Sequence, residues 1–391
     1  MPPTHSRTSR PMPRSLQATA TTRRRFLSSV AAAASSIVLS NCARNLSNAN
    51  LPADASPSSS SPSPGANTKT LHIYTWANYT DDELLKSFEA KTGIRPVVDI
   101  FDSNEAMLAK LQAGGGSAYS VIFPSDYMVV EMIRLGLLSP LDKSKLTGLE
   151  HLNAKWKNPI YDPNNAHSIP ATWGTTGLIY DPEKLGKTIT DWNFLWQNKG
   201  SLKRRLTLIN DVREVMGATL RSLGYSYNSS DPAQIEKAYK QLVELKPTIA
   251  SFLTNGWEDQ LASGDLLISM AYSSDALALM EEKPSLEYVI PRSGSSLWTD
   301  TMVIPKAAPN PDAAYQWLNF LLDPQNAAKL VERLKFATPN EAAYKLLPTD
   351  LKNNKGLFPS NTLLTKCEGV APVSTETADL YDRYWTQLTS A

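Results

Sequence analysis

Aromatic side chains stand beside carboxylates or hydrogen-bonding groups at several separate places in this chain. They are Trp76, Ala77, Asn78 and Tyr79; Ser125 and Tyr127 in Pro124-Ser125-Asp126-Tyr127; Tyr272 and Asp275; and Trp298-Thr299-Asp300, with the acidic pair Asp211 and Glu214 between them. Rings and acids together can capture a cation: a ring face attracts it by about 0.5–2 kcal/mol while covering its methylenes. A carboxylate adds charge-assisted hydrogen bonds from ammonium protons. At 4 Å an ion pair has roughly 4 kcal/mol of attraction at an effective dielectric of 20, before desolvation is subtracted. An organic polycation suits such a set, and the spacing of the acids would select its length. Each group also has a plainer reading. Trp76 and Tyr79 could staple the start of a helix, and Asp211 with Glu214 three residues on is the pattern of a capping box. Arg213 could pair with either acid. The recurrence of one chemistry favours binding.

The elements that must position these residues follow from the hydrophobic pattern. A strand is expected over 71–75, then a helix opened by Thr80-Asp81-Asp82-Glu83 and closed by Gly93. The alternation returns as a strand over 97–101, a helix over 103–113, a strand over 119–123 and a helix near 127–135. A second series has strands over 172–180, 206–209 and 266–272, a helix starting at Asp211 and another over 232–245. Strands over 288–291 and 301–305 and a helix over 312–322 follow. Strands alternating with helices predict an α/β fold with a largely parallel sheet covered on both faces. In such sheets ligands gather at the carboxyl ends of strands, and a cleft lies between two lobes. The aromatic and acidic residues fall near those ends.

The chain has 391 residues with 39 Lys+Arg, 38 Asp+Glu and 42% hydrophobic residues, the composition of a globular protein of more than one domain. Six of the basic residues lie in 1–42, which holds no acid; beyond it 33 basic and 38 acidic residues remain, net −5. A mildly acidic body disfavours nucleic acid. Four histidines and two cysteines leave no C-x-x-C or H-E-x-x-H spacing, so neither a metal nor another cofactor is expected. His72, His151 and His167 fall outside the aromatic and acidic groups.

Residues 21–42 read TTRRRFLSSVAAAASSIVLSNC, an arginine cluster followed by a 14-residue largely apolar stretch, too short for a comfortable transmembrane helix. The segment resembles a twin-arginine export signal, and Leu39-Ser40-Asn41-Cys42 resembles a lipoprotein cleavage box with Cys42 as the acylated residue. Residues 43–70 contain 11 Ser and Pro and no aromatic residue, which predicts a disordered tether. The expectation is a signal over 1–42, a tether over 43–70, and a monomer working in the periplasm at the outer face of the cytoplasmic membrane, touching it only through signal or lipid. Cys367 is then a lone thiol, read as a semi-buried apolar filler.

From about Leu71 onward the chain resembles the bacterial spermidine/putrescine-binding proteins that deliver polyamines to ABC importers, through YTWANYT, DSNEAMLAKL, SVIFPSDY, INDVREV, SLWTDTMVIP and FATPNEAA. The resemblance implies a two-lobed periplasmic-binding-protein fold with the ligand cleft between lobes, lobe 1 being 71–176 with 300–344 and lobe 2 being 177–299 with 345–391. It implies ligand-facing roles for Trp76, Tyr79, Ser125, Tyr127, Asp211, Glu214, Trp298 and Asp300. It also implies departures: Asn78 stands where a carboxylate is usual, Ala77 where a small hydroxyl is common, Tyr272 where a Trp packs on the ligand, and Phe336 where a Tyr often sits. Asp275 has the spacing from its aromatic seen in putrescine-binding relatives. No counterpart of a late glutamine ligand is evident in 366–373. The implied partners are a polyamine and the importer's membrane subunits, and the mechanism is binding without chemistry, closure flexing near 175–178 and 299–300. The alternatives are a binding protein for another small organic cation or solute, or a lipid-anchored periplasmic hydrolase. The hydrolase lacks a G-x-S-x-G nucleophile motif, and Asp211 with Glu214 on one helix cannot flank a substrate bond.

Overall fold

The computed structural model describes residues 69–390, which fall within one compact unit, 64–391. The export signal, Cys42 and the tether as far as residue 68 lie outside the described residues. Thr70 already opens the first strand.

Nine strands form the sheet: β1 (Thr70–Trp76), β2 (Arg95–Phe101), β3 (Val121–Ile122), β4 (Ser168–Tyr180), β5 (Leu206–Leu208), β6 (Ile249–Phe252), β7 (Ile268–Tyr272), β8 (Glu287–Val289) and β9 (Leu297–Val303). Their order is β2-β1-β3-β9-β4-β7-β5-β6, with β8 pairing on β4. Within each half the pairing is parallel where a helix crosses over: β1 with β2 and β3, β5 with β6 and β7. The halves meet through β4 and β9, which run antiparallel from Ser168↔Val303 to Thr175↔Leu297, while β4 continues from Thr176 against β7. The result is a two-lobed α/β fold in which two parallel units share a long antiparallel seam.

The helices start where short polar side chains can cap them. Asp81 accepts the N–H of Leu84 (2.7 Å), Ser103 that of Ala106 (3.1 Å), and Asp211 those of Arg213 (2.8 Å) and Glu214 (3.1 Å). Each caps a helix that follows a strand end and therefore fixes the loop between them. In the first half both sheet faces are covered: Leu71 and Ile73 pack with Phe88 and Trp317, while Tyr74 packs with Met107 and Tyr119. The second half has its own core around Tyr180, Trp192, Leu206, Tyr227 and Ile268, completed by Val370, Tyr381 and Leu388 from the chain's end. Trp156, Trp173, Leu277, Leu297 and Val331 form a further cluster that draws on both halves, and Cys367 packs against it half-buried.

β6 (Ile249–Phe252) was not expected at all, and two further strands have clearly different bounds. β4 starts at Ser168 rather than 172, because the interruption that Pro170 signals is absorbed by a register shift between Pro170 and Thr172. β9 covers Leu297–Val303 rather than 301–305, so Trp298 and Asp300 lie inside a strand instead of before it. All seven of its residues are buried, so no alternation of polar and apolar residues announces it.

Candidate functional site

The strand ends converge on one cavity of about 80 Å³, room for about six waters. β1 ends in Trp76, whose ring tilts against Phe101 from the end of β2 (centroids 4.5 Å apart), and the next turn carries Tyr79, which lies on Phe336 at 4.3 Å. Trp298 joins Phe336 edge-on at 6.4 Å and Tyr272 at 5.9 Å, giving a continuous aromatic wall. The edge-on geometry leaves ring faces turned toward neighbouring space, as a cation requires.

Hydrogen bonds hold the polar groups between the rings. Asp300 accepts from Ser125 Oγ (2.7 Å) and from the Tyr79 hydroxyl, so one carboxylate ties the ends of β1 and β3 to β9. Asn104 donates from Nδ2 to Ser125 Oγ (3.0 Å) and to the Tyr127 hydroxyl (3.0 Å), and Tyr127 donates to Glu105 Oε1 (3.0 Å). On the other side Glu214, 4% exposed, accepts from the hydroxyls of Tyr227 (2.7 Å) and Ser296 (2.9 Å). Asp211 caps its helix and also lines the cavity; Glu214 does not reach back to complete a capping box but turns inward.

Charge is one-sided. Asp102, Asp126, Asp211, Glu214, Asp275 and Asp300 line the cavity, and Arg213 is the single Lys or Arg among the lining residues. Arg213 pairs with neither of its neighbouring acids: it donates to Asn228 Oδ1 (3.2 Å) and Ala371 O (3.0 Å), with its guanidinium over the Tyr381 ring. No Lys or Arg salt bridge reaches any of the six acids among the described residues. Burial pushes the Asp275 carboxyl up to about 7, with the Glu258 charge adding to it. Burial likewise pushes Asp300 up to about 6, against the stabilising hydroxyls of Ser125 and Tyr79. Asp211 and Glu214 are both raised by burial, Glu214 also by the charge of Asp211, while backbone N–H bonds and the nearby Arg213 charge partly offset the rise at Asp211. Carboxylates in this state are under-compensated, and an ammonium is the partner that would return them to full ionisation.

The family model described as bacterial extracellular solute-binding protein matches residues 83–359. The chain is 37% identical over 320 residues to the spermidine/putrescine-binding periplasmic protein of Salmonella typhimurium, covering 82% of this chain and 91% of that one. It is 31% identical to the putrescine-binding periplasmic protein SpuD of Pseudomonas aeruginosa, over 83% of this chain and 93% of that one. This chain is a bacterial extracellular solute-binding protein. Among solved structures, a spermidine/putrescine ABC transporter protein from Listeria monocytogenes superposes with a TM-score of 0.78 at 36% identity, covering 82% of this chain and 98% of that one.

In this solute-binding protein the cavity gathers Trp76, Tyr79, Ser125, Tyr127, Asp211, Glu214, Tyr272, Asp275, Trp298, Asp300 and Phe336. Asn78 is the exception among the residues singled out from sequence. It is exposed, sits in a turn at φ 62° and is not among the lining residues. The left-handed turn that Asn tolerates at this position brings Tyr79 inward and leaves residue 78 facing out. Several lining residues were not expected: Phe101, Asp126, Arg213, Thr254, Ser274 and Val370 among them. Val370 comes from the 366–373 segment, which Asn228 clamps through Gly369 O and Ala371 N (2.8 Å each). The one signal for Asp126 was its place beside Ser125 at a strand end; Val370 carried none.

One glycine is needed to seat the aromatic wall. A Cβ on Gly174 of β4 would overlap Trp298 Cζ2 and Cη2, and Ser273 Oγ at 2.5 Å. Gly174→Ala is therefore expected to push the Trp298 ring into the cavity and to cost about 1–3 kcal/mol of stability. Urea unfolding and tryptophan emission read the two effects; an unshifted emission spectrum with native stability would count against this placement of Trp298.

Proposed function

We propose that this solute-binding protein captures a polyamine, putrescine or spermidine, outside the cytoplasmic membrane and delivers it to the membrane subunits of an ABC importer. The observation that carries the reading is the charge census of the cavity, with six acids, one arginine turned to other partners, and a wall of rings. An anionic or neutral solute would leave the buried carboxyls Asp126, Glu214 and Asp300 without a cationic partner, an arrangement that burial disfavours. The printed names of the relatives, spermidine/putrescine-binding and putrescine-binding periplasmic proteins, support the same class of ligand.

In this reading Trp76, Tyr79 and Phe336 cover methylenes from lobe 1 while Tyr272 covers them from lobe 2 and Trp298 from the seam, and Asp300, Asp275, Asp211 and Glu214 receive the ammonium ends. A ligand touching both halves stabilises the closed arrangement, because its contacts exist in full only there. The lobes divide at 71–176 with 300–344 against 177–299 with 345–391, and flexing falls in β4 and β9 near 175–178 and 299–300. The protein is exported by the twin-arginine-like signal, anchored through an acylated Cys42, and acts as a monomer without chemistry.

The test is thermal unfolding with and without ligand. At a hundredfold excess over Kd a ligand adds about 2.7 kcal/mol, which for a body of this size is a shift of about 4 °C. Putrescine or spermidine should produce it, and glucose or glutamate should not. No shift with any polyamine at millimolar concentration overturns the proposal.

A further inference from the structure

Two lining carboxylates receive no ammonium end in the proposed complex, Asp102, which is exposed, and Asp126, which is buried. Asp126 is 7% exposed, lines the cavity and is the first residue of the helix Asp126–Arg134. It accepts the backbone N–H of Tyr127 (2.8 Å), and no side-chain donor and no cation pairs with it among the described residues. An acid that merely favours a helix dipole does so from solvent, at little desolvation cost. This one is buried and turned to the cavity, so the dipole alone does not account for it.

Its position along the cavity can be read from β9. Ser296, Trp298 and Asp300 alternate along that segment and face one side; Ser296 holds Glu214 (2.9 Å), Trp298 contributes its ring, and Asp300 holds Ser125 (2.7 Å). Four residues at about 3.3 Å each separate the Cα atoms of Ser296 and Asp300 by about 13 Å. Glu214 and Asp300 therefore mark two ends with Trp298 between. Asp126 follows Ser125, which bridges Asp300 through its backbone, and its Oδ2 lies beside Gly369, where a Cβ would sit 3.7 Å from it and 3.7 Å from Leu297 O. Burial and then the charges of both Asp300 and Glu214 raise its carboxyl well above the usual range, which agrees with a station between those two.

Resting on the polyamine reading, we infer that Asp126 receives the internal secondary ammonium of a linear triamine whose primary ammoniums lie toward Asp300 and Glu214. Three carboxylate stations along one aromatic slot match three nitrogens separated by short methylene runs. A diamine of the same length would offer the middle carboxyl no ammonium, and the ion pair it forgoes there supplies the discrimination.

The experiment compares spermidine with 1,8-diaminooctane, which has the same chain length with a methylene in place of the internal nitrogen. Calorimetric titration at pH 8 of the wild-type protein should give spermidine at least a tenfold lower Kd. In Asp126→Asn that ratio should collapse toward one, while in Asp300→Asn it should persist although both ligands weaken. Equal affinities in the wild type, or a tenfold ratio that survives Asp126→Asn, overturn the inference. Binding of neither ligand by the wild type overturns the polyamine reading itself, which separates the two failures. Asp126→Ser provides a second variant, and the wild-type comparison stands even if neither variant folds.

Discussion

Asp300→Asn should weaken spermidine binding at least a hundredfold while the ligand-free protein unfolds at the same temperature or higher. The carboxylate is 5% exposed and held by Ser125 Oγ (2.7 Å) and the Tyr79 hydroxyl. In Asn the amide oxygen accepts one of these bonds and the amide N–H donates to the other hydroxyl's oxygen, so the join between the two halves of the sheet survives. The negative charge does not. Removing one partner of a buried ion pair costs about 3–5 kcal/mol, and every 1.4 kcal/mol is tenfold in Kd. The ligand-free fold loses only a charge that burial penalises, which is why its stability should not fall. Calorimetric titration and thermal unfolding of the same preparation measure both quantities. Parallel loss of binding and stability would show Asp300 to be a structural residue rather than a ligand-facing one.

Spermidine affinity should fall about a thousandfold or more between pH 8 and pH 5, the thousandfold from Asp275 and Asp300 alone, with Asp211 and Glu214, also raised, adding to the fall. Asp275 is raised to about 7 and Asp300 to about 6 in the ligand-free protein. Pairing with an ammonium needs each of them ionised, so below its own pKa each group must release a proton on binding, and affinity drops about tenfold per pH unit per group. At pH 5 Asp275 then accounts for about a hundredfold and Asp300 for about tenfold. Folding stability of the ligand-free protein carries the opposite sign. Both folded-state values lie above the unfolded carboxylate value of 3.8, so the folded chain holds these protons more tightly and their contribution to stability declines as pH rises through about 4 to 7. Ligand-induced thermal stabilisation should therefore shrink toward acid as Kd rises. Titrations at half-unit steps check this, and a Kd constant from pH 8 to 5 would mean that the carboxylates are ionised throughout or do not face the ligand.

Much of the architecture was written locally. The caps Asp81, Ser103 and Asp211 announce their helices because a short acceptor side chain satisfies the first free N–H groups wherever the tertiary structure places the helix. Pro232 at the first turn, followed by a regular apolar stripe, marks the helix Pro232–Leu245 at both ends. β9 was harder: a strand hydrogen-bonded on both edges and buried throughout shows no period of two, and its Trp and Asp look like turn residues.

The candidate site divides in the same way. Aromatic and acidic residues at the ends of β1, β3 and β7 were legible as a type of chemistry, because strand ends are where an α/β sheet exposes side chains. What the sequence by itself determined was therefore the inventory of rings and acids and the kind of cation that they suit. Only the tertiary structure decided that Asn78 turns outward, that Arg213 hydrogen-bonds Asn228 and Ala371 rather than Asp211 or Glu214, and that Asp126 and Val370 complete the wall. The physical reason is range. Caps and strand patterns depend on neighbours a few residues away, whereas the balance of charge in a cavity depends on which side chains meet across it. Asp300 meets Tyr79 from 221 residues away and Ser125 from 175, a pairing that no local pattern can announce.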